Sequence, residues 1–379
     1  MTIVFYISGH GFGHASRDLE VMHAIAARQP DVRLIARTSV PPTFFEVSAR
    51  ARVEVHAAAT DTGVVQIDTV RIDEAATVRD ASAFYGDFER RAEAEARVLD
   101  QLGADLVVGD APPLAFTAAD LAGVPSVLLA NFTWDWIYQG YEGFSASPVP
   151  VLDTMRDAYS RASHVLRLPF HGGFETVRPA ITDIPLIARQ SRRNPEDTRR
   201  VLGISGRRPV VLSSFSRYGM ALPYDRLVED GRLTLVVTDH ERSATQRTAS
   251  SAMRHIGRQD LTDLHLRYED LVAAADVVVS KPGYGIVSEC IANRAAFLYT
   301  PRERFVEHDI LEREMPRFLR CRRFDEGELA GGRWFAAVER LLGQPAPSAQ
   351  ISLDGAGRAA EILVGAARHE SSTNQSGAV

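Results

Sequence analysis

The chain has 379 residues, of which 45% are hydrophobic and 24% charged, and its net charge is −6. That length calls for two domains, and the acidic balance argues against a dedicated nucleic-acid binder. Two cysteines, Cys290 and Cys321, provide neither a disulfide framework nor a zinc quartet, which fits a reducing cytoplasm. There is no basic leader and no apolar run near the ~18 residues of a membrane span, so neither a signal peptide nor a transmembrane helix is expected. Peripheral contact with a membrane surface stays open.

The stretch Ile3-Val4-Phe5-Tyr6-Ile7 is apolar and rich in β-branched and aromatic residues, as a buried strand would be. It runs into Ser8-Gly9-His10-Gly11-Phe12-Gly13-His14, after which Leu19, Val21, Met22, Ile25 and Ala26 recur at helical spacing. A glycine-rich turn thus joins a first strand to a first helix, at the place where open α/β sheets bind ligands. A tight strand–helix connection with incidental histidines is the plainer alternative. His10 and His14 are four apart, but the glycines between them speak against a helix and hence against a metal site.

Further strands are expected at 32–36 and 53–56, with a helix started by Pro41-Pro42 between them and a loop with a short strand at 61–73. A long charged surface helix is expected over 81–102. A strand follows at 105–110 and ends on Asp110; then come a helix at 115–121 and a strand at 126–130. Strands alternating with helices imply a parallel, doubly wound sheet. Asp110 and the His14 turn both end strands, so a carboxylate–imidazole pair could make His14 a general base for a hydroxyl. Helix capping before Pro112-Pro113 is the competing role for Asp110. The run Asn131-Phe132-Thr133-Trp134-Asp135-Trp136-Ile137-Tyr138 mixes aromatic faces with polar groups, which suits a saccharide as well as a packed core.

A helix at 155–162 and a strand at 165–168 lead into an expected linker at 169–185. Arginines cluster between Arg189 and Arg200, but Glu196 and Asp197 interrupt them, as on a solvated helix face. Asn194-Pro195 is a strong helix start. The α/β pattern then repeats, with strands at 209–213, 233–237, 276–280 and 296–299 and helices at 268–275 and 286–293. Lys281-Pro282-Gly283-Tyr284-Gly285 at a helix start has the ingredients of a phosphate site, and Glu289 could accept ribose hydroxyls. A simple strand–helix turn is the alternative, and no P-loop pattern is present. Helices at 335–342 and 357–367 and a disordered tail at 369–379 complete the reading.

In combination, Gly9-His10-Gly11-Phe12-Gly13-His14-Ala15-Ser16-Arg17, Asp105-Leu106-Val107-Val108, Asn131-Phe132-Thr133-Trp134-Asp135 and Gly283-Tyr284-Gly285-Ile286-Val287-Ser288-Glu289 resemble the GT-B glycosyltransferases. Within that group they most resemble the glycosyltransferase-like N-terminal region of L-arabinokinases and its bacterial stand-alone relatives. The peptidoglycan N-acetylglucosaminyltransferase and plant UDP-sugar transferases are more distantly similar. The resemblance implies two Rossmann-like domains facing across a cleft: an acceptor domain at 1–180, a donor domain at 181–345, and a C-terminal helix at 346–368 returning to the first. It implies an inverting, metal-independent transfer from a UDP-sugar to a hydroxyl, with the nucleotide sugar as co-substrate and no cofactor. His14 would be the base and Asp110 its orienter. Ser214, Arg217, Gly219, Lys281, Gly283, Tyr284, Gly285, Ser288 and Glu289 would hold the donor. Glu307 and His308 stand where the family has an acid–Gln pair for the donor sugar. His10, Asn131, Trp134 and Asp135 would meet the acceptor. No D-x-D occurs, and no kinase phosphate loop. A non-catalytic sugar or nucleotide-sugar binding module and a UDP-sugar epimerase are the rival readings.

Overall fold

A computed structural model of the chain describes residues 1–68, 71–215, 222–238, 252–302, 304–347 and 349–376, except for the side chains of Glu326 and of residues beyond 368. The chain forms two compact units. The first comprises Met1–Val65, Asp73–Ala188 and the C-terminal stretch from Ser352; the second comprises Gln66–Ile72 and Arg189–Ile351.

In the first unit, β1 (Thr2–Ile7) is followed by α1 (Phe12–Arg28), β2 (Arg33–Thr38), α2 (Pro42–Ser48) and β3 (Glu54–Ala57). Next come α3 (Glu74–Tyr85), α4 (Phe88–Leu102), β4 (Leu106–Asp110), α5 (Leu114–Ala122), β5 (Ser126–Phe132), α6 (Trp134–Tyr138), α7 (Val151–Ser160), β6 (His164–Gly172) and β7 (Ile181–Asp183). Among the described residues the strands make one seven-stranded sheet in the order β3-β2-β1-β4-β5-β6-β7, parallel throughout. Ile3 to Ile7 are wholly buried because β1 is central and covered on both faces. The order reverses between β1 and β4, where Ile7 sits opposite Asp110. A crevice therefore opens beyond their carboxyl ends.

Three expectations change here. The long helix at 81–102 is two helices broken at Gly86, and the first starts earlier, capped by Asp73 accepting from the Ala76 N–H. The linker at 169–185 contains the end of β6 and all of β7, so it continues the sheet. At the C-terminus a single helix, α16 (Gly355–Ser376), runs through most of the tail expected to be disordered. Its Ala359, Ala360, Leu363, Val364 and Ala367 join the core that also holds Leu19, Met22 and Ile25 of α1. Small residues at helical spacing let the two helices pack closely.

The second unit contains α8 (Pro195–Val201), β8 (Val210–Ser213), α9 (Tyr224–Asp230), β9 (Thr234–Thr238), β10 (Met253–Ile256), α10 (Arg258–Asp263), α11 (Tyr268–Ala274), β11 (Val277–Ser280), α12 (Tyr284–Asn293), β12 (Ala296–Tyr299), α13 (Val306–Glu314), β13 (Cys321–Arg323), α14 (Glu326–Gly331) and α15 (Trp334–Leu342). Its sheet has the order β10-β9-β8-β11-β12-β13, again parallel and again reversing, between β8 and β11. Val211, Leu235, Val279, Leu298, Phe324 and Trp334 form its core. The short elements α9, β10, α10, β13 and α14 have no counterpart in the expected pattern, because three to seven residues are too few to show a period. Among the described residues, no helix is long and apolar enough to cross a membrane.

Candidate functional site

The turn after β1 is shaped by its glycines. A Cβ on Gly9 would lie 1.8 Å from the Ser39 hydroxyl, and Gly11, the residue preceding α1, has φ 91°. Only glycine tolerates both demands. The helix then begins at Phe12, earlier than expected, and places His14 in its first turn. The His14 imidazole Nδ1 lies 2.9 Å from Asp110 Oδ1. Arg17, three residues further along α1, grips the same carboxylate: its Nε donates to Oδ2 at 2.9 Å and its second guanidinium nitrogen donates to Oδ1. The remaining guanidinium nitrogen donates to the Asn131 side-chain oxygen, and the Asn131 amide donates to the Pro169 carbonyl.

Burial pushes the Asp110 carboxyl up, but Arg17 and His14 outweigh it and hold the group down at about 2. An ionised carboxylate can only accept, so the bond to His14 requires the proton on Nδ1, and in a neutral imidazole the lone pair is then on Nε2. Ala111, the next residue, has φ 76°, rare for a residue with a Cβ. Its carbonyl accepts from the Tyr159 hydroxyl at 2.7 Å, and that oxygen in turn accepts from the Trp134 N–H at 3.0 Å. The strained turn that presents Asp110 is thereby locked by α7.

The residues expected at an acceptor stand differently. Trp134 and Asp135 are each only 2% exposed, so neither offers a face to a ligand in this structure. Trp134 packs against Phe132 and Tyr138, and Asp135 pairs with Arg156 at 3.1 Å. Asn131 is buried and holds Arg17. His10 accepts from the Val64 N–H at 3.2 Å and lies directly beneath Gly63. The aromatic run is therefore a core that pins the 60–65 loop, with the Tyr138 hydroxyl donating to the Gly63 carbonyl at 2.6 Å.

That loop supplies a residue the sequence did not single out. Asp61 Oδ2 accepts from the Trp134 indole N–H at 2.9 Å, and its carboxylate also interacts with Ser8, the Gly9 N–H and His14. Burial raises its carboxyl despite those partners. The one available signal was an acidic residue just past a strand's carboxyl end.

In the second unit Gly283 caps α12 in extended conformation, and the space where its Cβ would stand is open. Lys281 is half-buried and donates to the Gln66 side-chain oxygen at 3.1 Å. Burial, then repulsion from Arg302, lowers its ammonium to about 7 against the pull of Glu307. The Ser214 hydroxyl lies 2.6 Å from that of Tyr268, and its carbonyl accepts from Ser280. Glu289 is buried on α12 and bonded by Arg189 Nε at 2.6 Å, while the Arg189 guanidinium sits 4.9 Å from the centre of the Tyr268 ring. Ser288 is buried, and Tyr284 and Gly285 form the first turn of α12. Glu307 lies 3.4 Å from Arg302, and His308 is buried 3.4 Å from Glu312 on the same helix, its imidazole pushed down by that burial. Arg217 and Gly219 lie outside the described residues.

No protein-family model matches the chain. In sequence it is similar to the L-arabinokinase of Arabidopsis thaliana, 30% identical over 388 residues that take in all of this chain and 36% of that protein. The chain thus spans about a third of that relative's length. It is also similar to an uncharacterized glycosyltransferase of Methanopyrus kandleri, 27% identical over 72% of this chain and 79% of the other. Among solved structures, the calicheamicin glycosyltransferase matches with a TM-score of 0.60 at 15% identity, covering 99% of this chain and 97% of that one. Phytolacca americana UGT2, complexed with UDP-2-fluoroglucose and pterostilbene, matches at 0.56 and 12% identity, covering 97% and 93%. With its two doubly wound sheets, the chain has the GT-B fold.

Proposed function

We propose that this chain transfers a sugar from a UDP-sugar to a hydroxyl acceptor, with inversion and without a metal. The observation that carries the reading is the His14–Asp110 pair at the switch point of the first sheet, with Nδ1 bonded to the carboxylate. Nε2 would take the acceptor's hydroxyl proton as that oxygen bonds the anomeric carbon. The bond from that carbon to the diphosphate breaks on the opposite face, and its electron pair leaves with the diphosphate. The first turn of α12 and the Lys281 ammonium would offset the charge that develops there. The glycosyltransferase of Methanopyrus kandleri supports sugar transfer, and the complex of the Phytolacca enzyme with UDP-2-fluoroglucose supports the choice of donor.

The test is nucleotide release and sugar transfer across a panel of nucleotide sugars. His14→Ala should lower turnover by about 10²–10⁴-fold, as loss of a general base does. Undiminished transfer in that variant would refute the assignment. A second reading, a nucleotide-sugar binding module, is favoured by one observation: the Glu289 oxygen Oε1 is already taken by Arg189. A ribose would have to share that carboxylate. Saturable binding with no nucleotide released would support the module.

A further inference from the structure

Asp18 lies on α1 four residues beyond His14 and is wholly buried. Among the described residues no donor reaches either of its carboxyl oxygens. An ionised carboxylate in that position would be desolvated with no hydrogen-bond donor to compensate, which is costly. Its carboxyl instead lies against that of Asp110, close enough for a hydrogen bond if one of the two carries a proton. Asp110 already accepts from His14 and twice from Arg17, so it is the ionised member. The proton therefore belongs to Asp18.

We propose that Asp18 is a neutral carboxylic acid donating to Asp110, and that it positions His14 as an unprotonated base. The inference rests on the reading of His14 given above. With Asp18 neutral, Asp110 is balanced by Arg17, and Asp61, whose own carboxyl burial raises, is the remaining acid that acts on His14. With Asp18 ionised a second carboxylate would stand against that guanidinium, beside Asp61, and would draw His14 in as a further cation, its Nε2 blocked by a proton. Burial and the neighbouring Asp110 both push the Asp18 carboxyl well above the ordinary range, and Arg17 only partly opposes them. Asp110 from β4 and Arg17 from the same helix are the charged groups that act on it. β1 and α16, which also pack on α1, contribute apolar side chains to this core.

Asp18→Asn tests the proposal, because the amide keeps the shape and a donor toward Asp110. The infrared difference between wild type and D18N at neutral pH should contain the carbonyl stretch of a protonated carboxylic acid. A carboxylate band in its place overturns the proposal. This measurement needs no turnover, so it stands even if the protein proves to transfer no sugar. Where transfer is measured, the acid limb of the D18N pH–rate profile should coincide with that of wild type. A limb displaced to lower pH by about one unit or more would mean that an anion at Asp18 had been supporting a protonated His14, and would overturn the proposal as well. If D18N does not fold, Asp18→Leu removes the carboxyl at similar volume and serves for the same subtraction.

Discussion

Asp110→Asn separates what the buried carboxylate does for stability from what it does for His14. The substitution keeps the volume and removes the charge, leaving the Arg17 guanidinium, itself 9% exposed, without its counter-ion. Breaking a buried pair in this way costs about 3–5 kcal/mol. Because the amide oxygen can still accept from Arg17, the lower end, about 3 kcal/mol, is expected. For a unit of this size that is a fall of roughly 6–12 °C in the melting transition. The chemical effect has a different origin. With the oxygen turned to Arg17, the amide N–H faces His14 Nδ1, which must then accept, so the imidazole proton moves to Nε2, where a base needs its lone pair. Turnover should fall by about 10²–10⁴-fold with little change in the KM for donor. Adding Arg17→Met removes the stranded cation, and should recover much of the melting temperature but none of the turnover. Calorimetry and a nucleotide-release assay read the two effects. The reasoning fails if Asp110→Asn turns over like wild type, or if the double variant regains activity along with stability.

Gly9→Ala should destabilise by about 1–3 kcal/mol, since the new methyl would meet the Ser39 hydroxyl, and Ser39→Gly should restore most of the loss in a thermal melt. Leu363→Ala, in the wholly buried seam between α16 and α1, should cost about 2–5 kcal/mol by chemical denaturation; a cost below about 1 kcal/mol would mean that α16 does not pack as described. Lys281 titrates at about 7, so its ammonium is present below that pH and lost above it. If it holds the diphosphate, UDP should bind about fivefold more weakly at pH 8 than at pH 7, and Lys281→Met should flatten that dependence in titration calorimetry.

Local patterns carry the architecture. Apolar runs of four to six residues alternating with helical periods are enough to imply two doubly wound parallel sheets, because a βαβ crossover closes in only one hand. The two turns that hold the candidate residues stood out for the same reason: glycines, a lysine and histidines directly after buried strands, where an open sheet leaves its crevice. What residues 131–138 would do was not legible. Aromatics interleaved with Asn, Thr and Asp read equally well as a saccharide platform and as a core, and only burial shows the core, with Trp134 and Asp135 turned inward. The linker was misjudged because β7 is three residues long and pairs with β6, an interaction that leaves no period in the chain.

By itself, then, the sequence determined which residues end strands and which turns must be glycine, since both follow from backbone sterics and side-chain hydrophobicity within a few positions. Tertiary structure alone decided which of those residues meet. His14 and Asp110 are 96 positions apart, Arg189 and Glu289 100. Whether a carboxylate faces an imidazole, a guanidinium or a second carboxyl is set by strand order and register. That is why a buried acid at Asp18 and an engaged Glu289 came into view only once the sheets were assembled.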